Sequence, residues 1–155
     1  MAEFEVDAFL ADSVVVADGK LYVQGAGWNR IVAGSFPVAH DRVGIGLIFH
    51  ATPATSGRHR FELRLEDSSA NELALGDAPS GEKVHRLSGE FTVRVTADDE
   101  HLVPLAINLN GLVFEQPGAY RFVTSVDGED LKSLRFAVQP RAAQTPTVSG
   151  GGGYL

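Results

Sequence analysis

Apolar and polar residues alternate with a period of two along most of this chain, which is the pattern of strands with one buried face. The clearest example is residues 61–66, where Phe61, Leu63 and Leu65 alternate with Glu62, Arg64 and Glu66. We expect the charged face of this strand to lie in water. Since no segment keeps a 3.6-residue period over three helical turns, the chain is predicted to be all-β.

The strongest hairpin signal lies between residues 117 and 138, where two alternating runs flank Asp127-Gly128. Asp-Gly favours a two-residue hairpin turn because glycine adopts a positive φ without steric cost. A second hairpin is predicted at Asp18-Gly19, between residues 14–16 and 21–23. The residues of the first hairpin that we expect in the core are Tyr120, Phe122, Leu134 and Phe136.

About nine or ten short strands separated by turn signals predict an antiparallel β-sandwich, immunoglobulin-like or related. Tyr120 follows Gly118-Ala119 at the start of a late strand and resembles a tyrosine corner, whose hydroxyl bonds upstream backbone. Gly44 and Gly46 share one face of a strand, which indicates either that another element packs closely there or that the strand bends. A closed β-barrel is the alternative fold.

The composition changes after Val138 into a segment rich in Gly, Ser, Thr and Pro. A chain of 155 residues fits a single domain. We predict that residues 1–138 form the β-sandwich and that residues 139–155 form a flexible tail, because the tail buries too little apolar area to offset its ordering. Fifteen flexible residues span roughly 20–23 Å.

The chain has no Cys, a formal net charge of −7 and an acidic N-terminus. The lack of Cys excludes a disulfide scaffold and a thiol nucleophile, and it favours a reducing cytoplasm. The negative charge disfavours nucleic-acid binding, which relies on Lys and Arg against phosphates. The sequence shows neither a signal peptide nor an apolar run of ~20 residues, so we expect a cytoplasmic protein without a membrane span.

Residues able to perform chemistry are scattered along the sequence. The five histidines are His40, His50, His59, His85 and His101, and none is spaced as a pair of metal ligands. Gly25-x-Gly27 lacks the third glycine and the helix of a dinucleotide site. The acidic residues near Asp127 are interpreted as turn residues. We therefore predict no metal, no cofactor and no enzymatic activity.

Trp28 is the single tryptophan, and it lies beside glycines and ahead of Asn29 and Arg30. An exposed Trp with polar neighbours is typical of surfaces that stack on a sugar or a protein partner. The alternative is a core Trp whose indole N–H donates to a carbonyl. Trp28 is therefore a candidate partner-binding residue.

Five segments carry a family resemblance: residues 18–21, 25–31, 112–114, 117–122 and 126–129. They include Gly25-Ala26-Gly27-Trp28 and Pro117-Gly118-Ala119-Tyr120. Together they resemble a bacterial family of domains of unknown function, over most of residues 4–138. The resemblance implies a compact all-β bacterial domain and carries no activity with it.

The C-terminal residues Gly153-Tyr154-Leu155 separately resemble the ends of bacterial proteasome activators, which finish in Gly-Gln-Tyr-Leu and dock between α-subunits of the 20S core. The resemblance implies that Tyr154 fills a pocket and that the Leu155 carboxylate pairs with a basic group. Gly153 stands where the activators have Gln. A disordered end is one alternative, and an engineered linker is another, since Ser-Gly-Gly-Gly-Gly is common in such linkers.

These observations favour a non-catalytic protein-interaction module with Tyr154, Leu155 and Trp28 as candidate partner-binding residues. The predicted partner is a protein, with the proteasome core as the candidate. One alternative is a self-assembling structural subunit that pairs through sheet edges. Another is a carbohydrate-binding sandwich that uses Trp28.

Overall fold

The computed structural model describes residues 4–142, which form thirteen strands, three of them only two residues long. The strands are β1 (Glu5–Ala11), β2 (Ser13–Ala17), β3 (Lys20–Gln24), β4 (Arg30–Ala33), β5 (Val38–Ala51), β6 (Gly57–Asp67), β7 (Glu72–Leu73), β8 (Gly76–Asp77), β9 (Lys83–Val84), β10 (Arg86–Val93), β11 (His101–Phe114), β12 (Gly118–Val126) and β13 (Glu129–Pro140). A 3-10 turn spans Pro53–Thr55. Within residues 4–142, no helix has the length and apolar character needed to cross a bilayer.

Two sheets face each other as a sandwich, which confirms the predicted fold class. The smaller sheet has the strand order β1-β5-β11, and the larger has the order β10-β6-β12-β13-β4 with β7 beside β6. The core between them contains fully buried Phe49, Phe114 and Phe122. One pair departs from the antiparallel prediction, because β4 runs parallel to β13. This pairing joins segments about a hundred residues apart, which a local pattern does not reveal.

The hairpin of β12 and β13 has the predicted turn at Asp127-Gly128, where both residues have positive φ (52° and 84°). Tyr120 pairs with Phe136 and Phe122 pairs with Leu134. Three of these side chains are buried, and Leu134 is half-buried against the core. The prediction that this hairpin supplies the core is therefore confirmed.

The predicted tyrosine corner is also present. The Tyr120 hydroxyl donates a hydrogen bond to the carbonyl of Gln116 at 2.5 Å. The ring packs edge-on against Phe114, with 4.9 Å between the ring centroids. This bond fixes the loop that joins β11 to β12, so the long edge strand and the central strand meet at a rigid corner.

The charged face of β6 differs from the sequence expectation. Glu66 is only 6% exposed, so the prediction that all three charged residues lie in water is wrong for this one. Guanidinium groups from β6 and from the neighbouring strand cover its carboxylate, and a buried carboxylate requires such partners. The partner on β12 is 55 residues away in sequence, which explains why the local pattern of β6 did not predict it.

Strand β13 continues two residues past Val138, the predicted end of the domain. Pro140 pairs with Ala33 of β4, and the Arg141 amide donates to the Ala33 carbonyl at 2.9 Å. The chain therefore leaves the sandwich along the edge of the larger sheet, at a position fixed by the parallel β4–β13 pair.

Candidate interaction surfaces

Strands β2 and β3 form a two-stranded ribbon that packs on the outer face of the smaller sheet. Val14 faces this sheet and is 2% exposed. Leu21 faces it too, since its Cδ2 would lie 3.1 Å from a Cβ placed on Gly46. Val15 and Tyr22 are paired across the ribbon and occupy its opposite face. The ribbon thus has one buried and one outward face.

Asn108 of β11 holds the ribbon on the sheet. Its Oδ1 accepts from the Val14 amide at 3.0 Å, and its Nδ2 donates to the Val14 carbonyl at 2.8 Å. The side-chain amide of Asn108 therefore makes the two hydrogen bonds to Val14 that a neighbouring strand would otherwise make. At the open end of the ribbon, the Asp12 amide donates to the carbonyls of Gln24 and Gly25 at 3.0 and 3.1 Å.

The close approach predicted at Gly44 and Gly46 is present. A Cβ on Gly46 would lie 2.5 Å from the Phe9 ring, and a Cβ on Gly44 would lie 3.1 Å from the backbone of Ser13. Both glycines lie on the outer face of β5, under the ribbon and under Phe9 of β1. Their missing side chains create the space in which these elements pack.

The outward side of the ribbon is apolar and exposed. In residues 4–142, seven large apolar side chains are exposed, and four of them lie on the ribbon. Val15 (55% exposed) and Tyr22 (50%) lie on the outward face, which we call the ribbon face, whereas Val16 (38%) and Val23 (37%) are exposed on the sheet-facing side. Monomeric proteins seldom group exposed apolar side chains, and where they do the group commonly marks an interaction site.

Trp28 lies between β3 and β4 and is half-buried, with its ring packed against the core. Its centroid is 6.3 Å from that of the His40 ring. The indole Nε1 is buried, and no atom of the described residues accepts its hydrogen. Trp28 is therefore neither a fully exposed stacking residue nor a core Trp whose N–H donates a hydrogen bond within the described residues.

The outer face of the larger sheet carries a network of ion pairs. The Glu66 carboxylate accepts from Arg64 Nε at 3.0 Å and from Arg121 Nε at 2.8 Å. Arg64 also forms two parallel hydrogen bonds to Asp130, at 2.9 and 2.8 Å. The Arg64 guanidinium is the main group that holds the pKa of Glu66, and likewise the pKa of Asp130, below its usual value.

Two histidines join strands through carboxylates. His50 lies between Asp7 Oδ2 at 2.7 Å and Glu100 Oε1 at 3.0 Å, and these bonds, that to Asp7 first, raise the pKa of His50. His59 lies between Asp127 Oδ2 at 2.7 Å and a backbone carbonyl. The three carboxylates are at least 43 residues away in sequence from the histidines that they bond, so local spacing did not reveal them. Among the described residues, no three potential ligands converge on a metal position.

The family model of DUF6941, a family of unknown function, matches residues 6–139. The chain belongs to DUF6941. The match covers the whole described sandwich except its first two and last three residues, and it includes the ribbon, the tyrosine corner and the ion-pair network. A search of curated proteins finds no match for the chain.

Comparison with solved structures gives matches to this DUF6941 chain at low sequence identity. A β-glucosidase from Listeria innocua matches 88% of this chain at 11% identity with a TM-score of 0.49, and this chain covers 16% of that protein. An immunoglobulin-like protein from Pseudomonas aeruginosa matches 88% of this chain at 11% identity with a TM-score of 0.42, and 97% of that protein is covered.

Of the three candidate partner-binding residues, the structure describes only Trp28 in this DUF6941 chain. Tyr154 and Leu155 lie outside the described residues. The ribbon face was not among the sequence candidates. The signal that could have found it is the pairing of Val-Val-Val with Leu-Tyr-Val around Asp18-Gly19, because a hairpin with two apolar faces needs a cover on both.

Proposed function

We propose that this DUF6941 chain is a non-catalytic protein-interaction module. The observation that carries the proposal is the ribbon face, where Val15 and Tyr22 are each at least half exposed on a ribbon that Asn108 fixes to the sheet. A rigid apolar surface binds without a large ordering cost, because its side chains are already in position. Tyr at such a surface supplies contact area and a hydroxyl for a polar partner.

We infer that the protein partner of the tail is the bacterial 20S proteasome core, in the cytoplasm. The support is the similarity of Gly153-Tyr154-Leu155 to the Gly-Gln-Tyr-Leu ends of proteasome activators. The length of the chain is compatible with this role. Arg141 is hydrogen-bonded to the sandwich, and fourteen residues follow it that could reach a pocket. The Tyr154 ring enters that pocket, and the Leu155 carboxylate pairs with a cation there.

The test is binding of the full-length chain to immobilised 20S core, compared with three variants. We expect the deletion of residues 154–155 and the substitution Tyr154→Ala to abolish binding. Tyr22→Ala makes the same chemical change on the ribbon face and should leave binding intact. Tail docking is wrong if the full-length chain does not bind or if the deletion binds equally well. If only Tyr22→Ala loses binding, the ribbon face and not the tail contacts the 20S core.

A second candidate function is self-association, which the low charge of the ribbon favours. Strand β2 contains no charged residue, and β3 contains only Lys20, although the chain has a formal net charge of −7. Two copies would meet here with the least repulsion. In addition, β3 pairs only with β2, so its outer edge has no strand partner in residues 4–142. Such edges pair with other chains unless charge or proline blocks them.

Sedimentation velocity over a range of concentrations tests this candidate. Val15→Lys places a charge in the ribbon face and should keep the protein monomeric. Val113→Lys is the matched control, because Val113 is 48% exposed on β11 and the change in net charge is the same. Self-association through the ribbon is refuted if the unmodified chain stays monomeric at high concentration or if both variants dissociate equally.

A further inference from the structure

We propose that a cleft on the outer face of the larger sheet binds an oxyanion, that is, a carboxylate or phosphate group. We call it the arginine cleft. It has a volume of about 340 Å³, within the range of small-ligand sites. The charged residues that line it are Arg64, Glu66, Arg121, Asp130, Lys132 and Arg135.

The strand register explains the shape of the cleft. Val123 of β12 stands opposite Ser133 of β13, and these two short side chains form the floor. One wall is the next pair along, in which Arg121 stands opposite Arg135. The other wall contains Arg64, which lies beside Val123 on the neighbouring strand. Short residues between rows of long cations leave a depression lined with hydrogen-bond donors.

The pairing of Arg121 with Arg135 is the unusual feature. Like charges directly opposite each other on antiparallel strands are destabilising. Glu66 accepts a bond from Arg121, but only from its Nε, and the terminal nitrogens have no acceptor in residues 4–142. Arg135 has no ion-pair partner in the same residues. An anion between the two guanidinium groups would convert the repulsion into two attractions.

The remaining charges leave a positive excess in the cleft. Arg64 already pairs with Glu66 and Asp130, to which it makes three hydrogen bonds of 2.8 to 3.0 Å. The cleft contains four cationic side chains and two carboxylates, on a chain whose formal net charge is −7. This local positive charge attracts anions, although the net charge of the whole chain is negative.

The donor set selects oxyanions. A guanidinium presents parallel N–H groups that match the two oxygens of a carboxylate or phosphate. The Ser133 hydroxyl adds a donor at the floor, and Lys132 adds a flexible cation near the rim. Arg64 already pairs with two carboxylates. It therefore forms part of the wall and does not need the ligand to balance its charge.

The test is a titration of the full-length chain followed by amide chemical shifts at constant ionic strength. The probes are inorganic phosphate, succinate and a peptide of residues 149–155 with either a free or an amidated terminus. We expect saturable shifts at residues 121, 133 and 135. Arg135→Gln should weaken binding about tenfold or more, because a charge-assisted hydrogen bond is lost. Arg94→Gln, which removes the same charge from an exposed position outside the cleft, should have no effect.

Each outcome bears on the proposal. Saturation by phosphate or succinate identifies a free anion as the ligand source, and saturation only by the acid form of the peptide identifies a protein-borne carboxylate. The proposal is overturned if no probe saturates, or if Arg135→Gln and Arg94→Gln weaken binding equally, since the effect would then be general charge screening. Ribbon association is unaffected by either result.

Discussion

Replacing Asn108 by Ala is expected to loosen the ribbon and to destabilise the whole domain. The substitution removes two hydrogen bonds, to the Val14 amide at 3.0 Å and to the Val14 carbonyl at 2.8 Å. A typical intramolecular hydrogen bond contributes about 1 kcal/mol net. Val14 is 2% exposed, so water reaches its backbone groups poorly after the change. We therefore expect a loss of about 2 kcal/mol in the free energy of unfolding.

Urea unfolding followed by circular dichroism measures this loss, and for a domain of this size it corresponds to a fall of about 4–8 °C in Tm. Asn110→Ala is the matched control on the same strand. The Asn110 side chain accepts a hydrogen bond from the exposed Arg42 at 3.0 Å, and within residues 4–142 it makes no hydrogen bond to the ribbon backbone. Its loss should cost less than about 0.5 kcal/mol, as is usual for surface changes.

Amide hydrogen exchange separates local loosening from global loss of stability. We expect the exchange protection of residues 14–23 to fall more in Asn108→Ala than that of the core strands. The reasoning is refuted if Asn108→Ala is no less stable than Asn110→Ala. It is also refuted if the ribbon and the core lose the same protection, because Asn108 would then act on the sandwich as a whole.

Three further substitutions test other features of the fold. Gly46→Ala should cost about 1–3 kcal/mol in urea unfolding, since the new Cβ would lie 2.5 Å from the Phe9 ring, whereas Gly34→Ala enters open space and should be tolerated. Tyr120→Phe removes the corner hydrogen bond and should lower the free energy of unfolding by about 1 kcal/mol. Equal stability of the variant and the wild type would contradict this. The pKa of His50 is raised, so its stabilisation is complete below pH 6.5 and is lost as the pH rises through the folded pKa. Unfolding midpoints should therefore separate wild type from His50→Gln more at pH 6 than at pH 9, and a constant gap would contradict this.

Local signals predicted much of the sandwich because they depend on the backbone of a few residues. Asp-Gly requires positive φ at both positions of a tight hairpin turn, and Asp18, Gly19, Asp127 and Gly128 all have it. The tyrosine corner also links residues only four positions apart. In such cases the residues that interact are close in sequence, so the local sequence pattern predicts the local structure.

The features that sequence did not reveal depend on distant partners. The alternation of β6 placed Glu66 outward correctly, but its burial depends on the Arg121 side chain from β12. Likewise, the hairpin of β2 and β3 was predicted, but its position outside both sheets depends on Asn108 of β11. The candidate surfaces are assembled across strands that meet only in the folded state.

The two candidate surfaces lie on opposite outer faces of the sandwich, with the core between them. The ribbon packs over Gly46 on the smaller sheet, and the arginine cleft lies over Val123 on the larger one. A close-packed core separates the two surfaces, and distant sites without shared partners behave additively. Tyr22→Ala and Arg135→Gln should therefore act independently, so that protein association and anion binding can be assigned to separate faces of one rigid domain. Coupling between them would instead require a conformational change of the core, for which close packing offers little room.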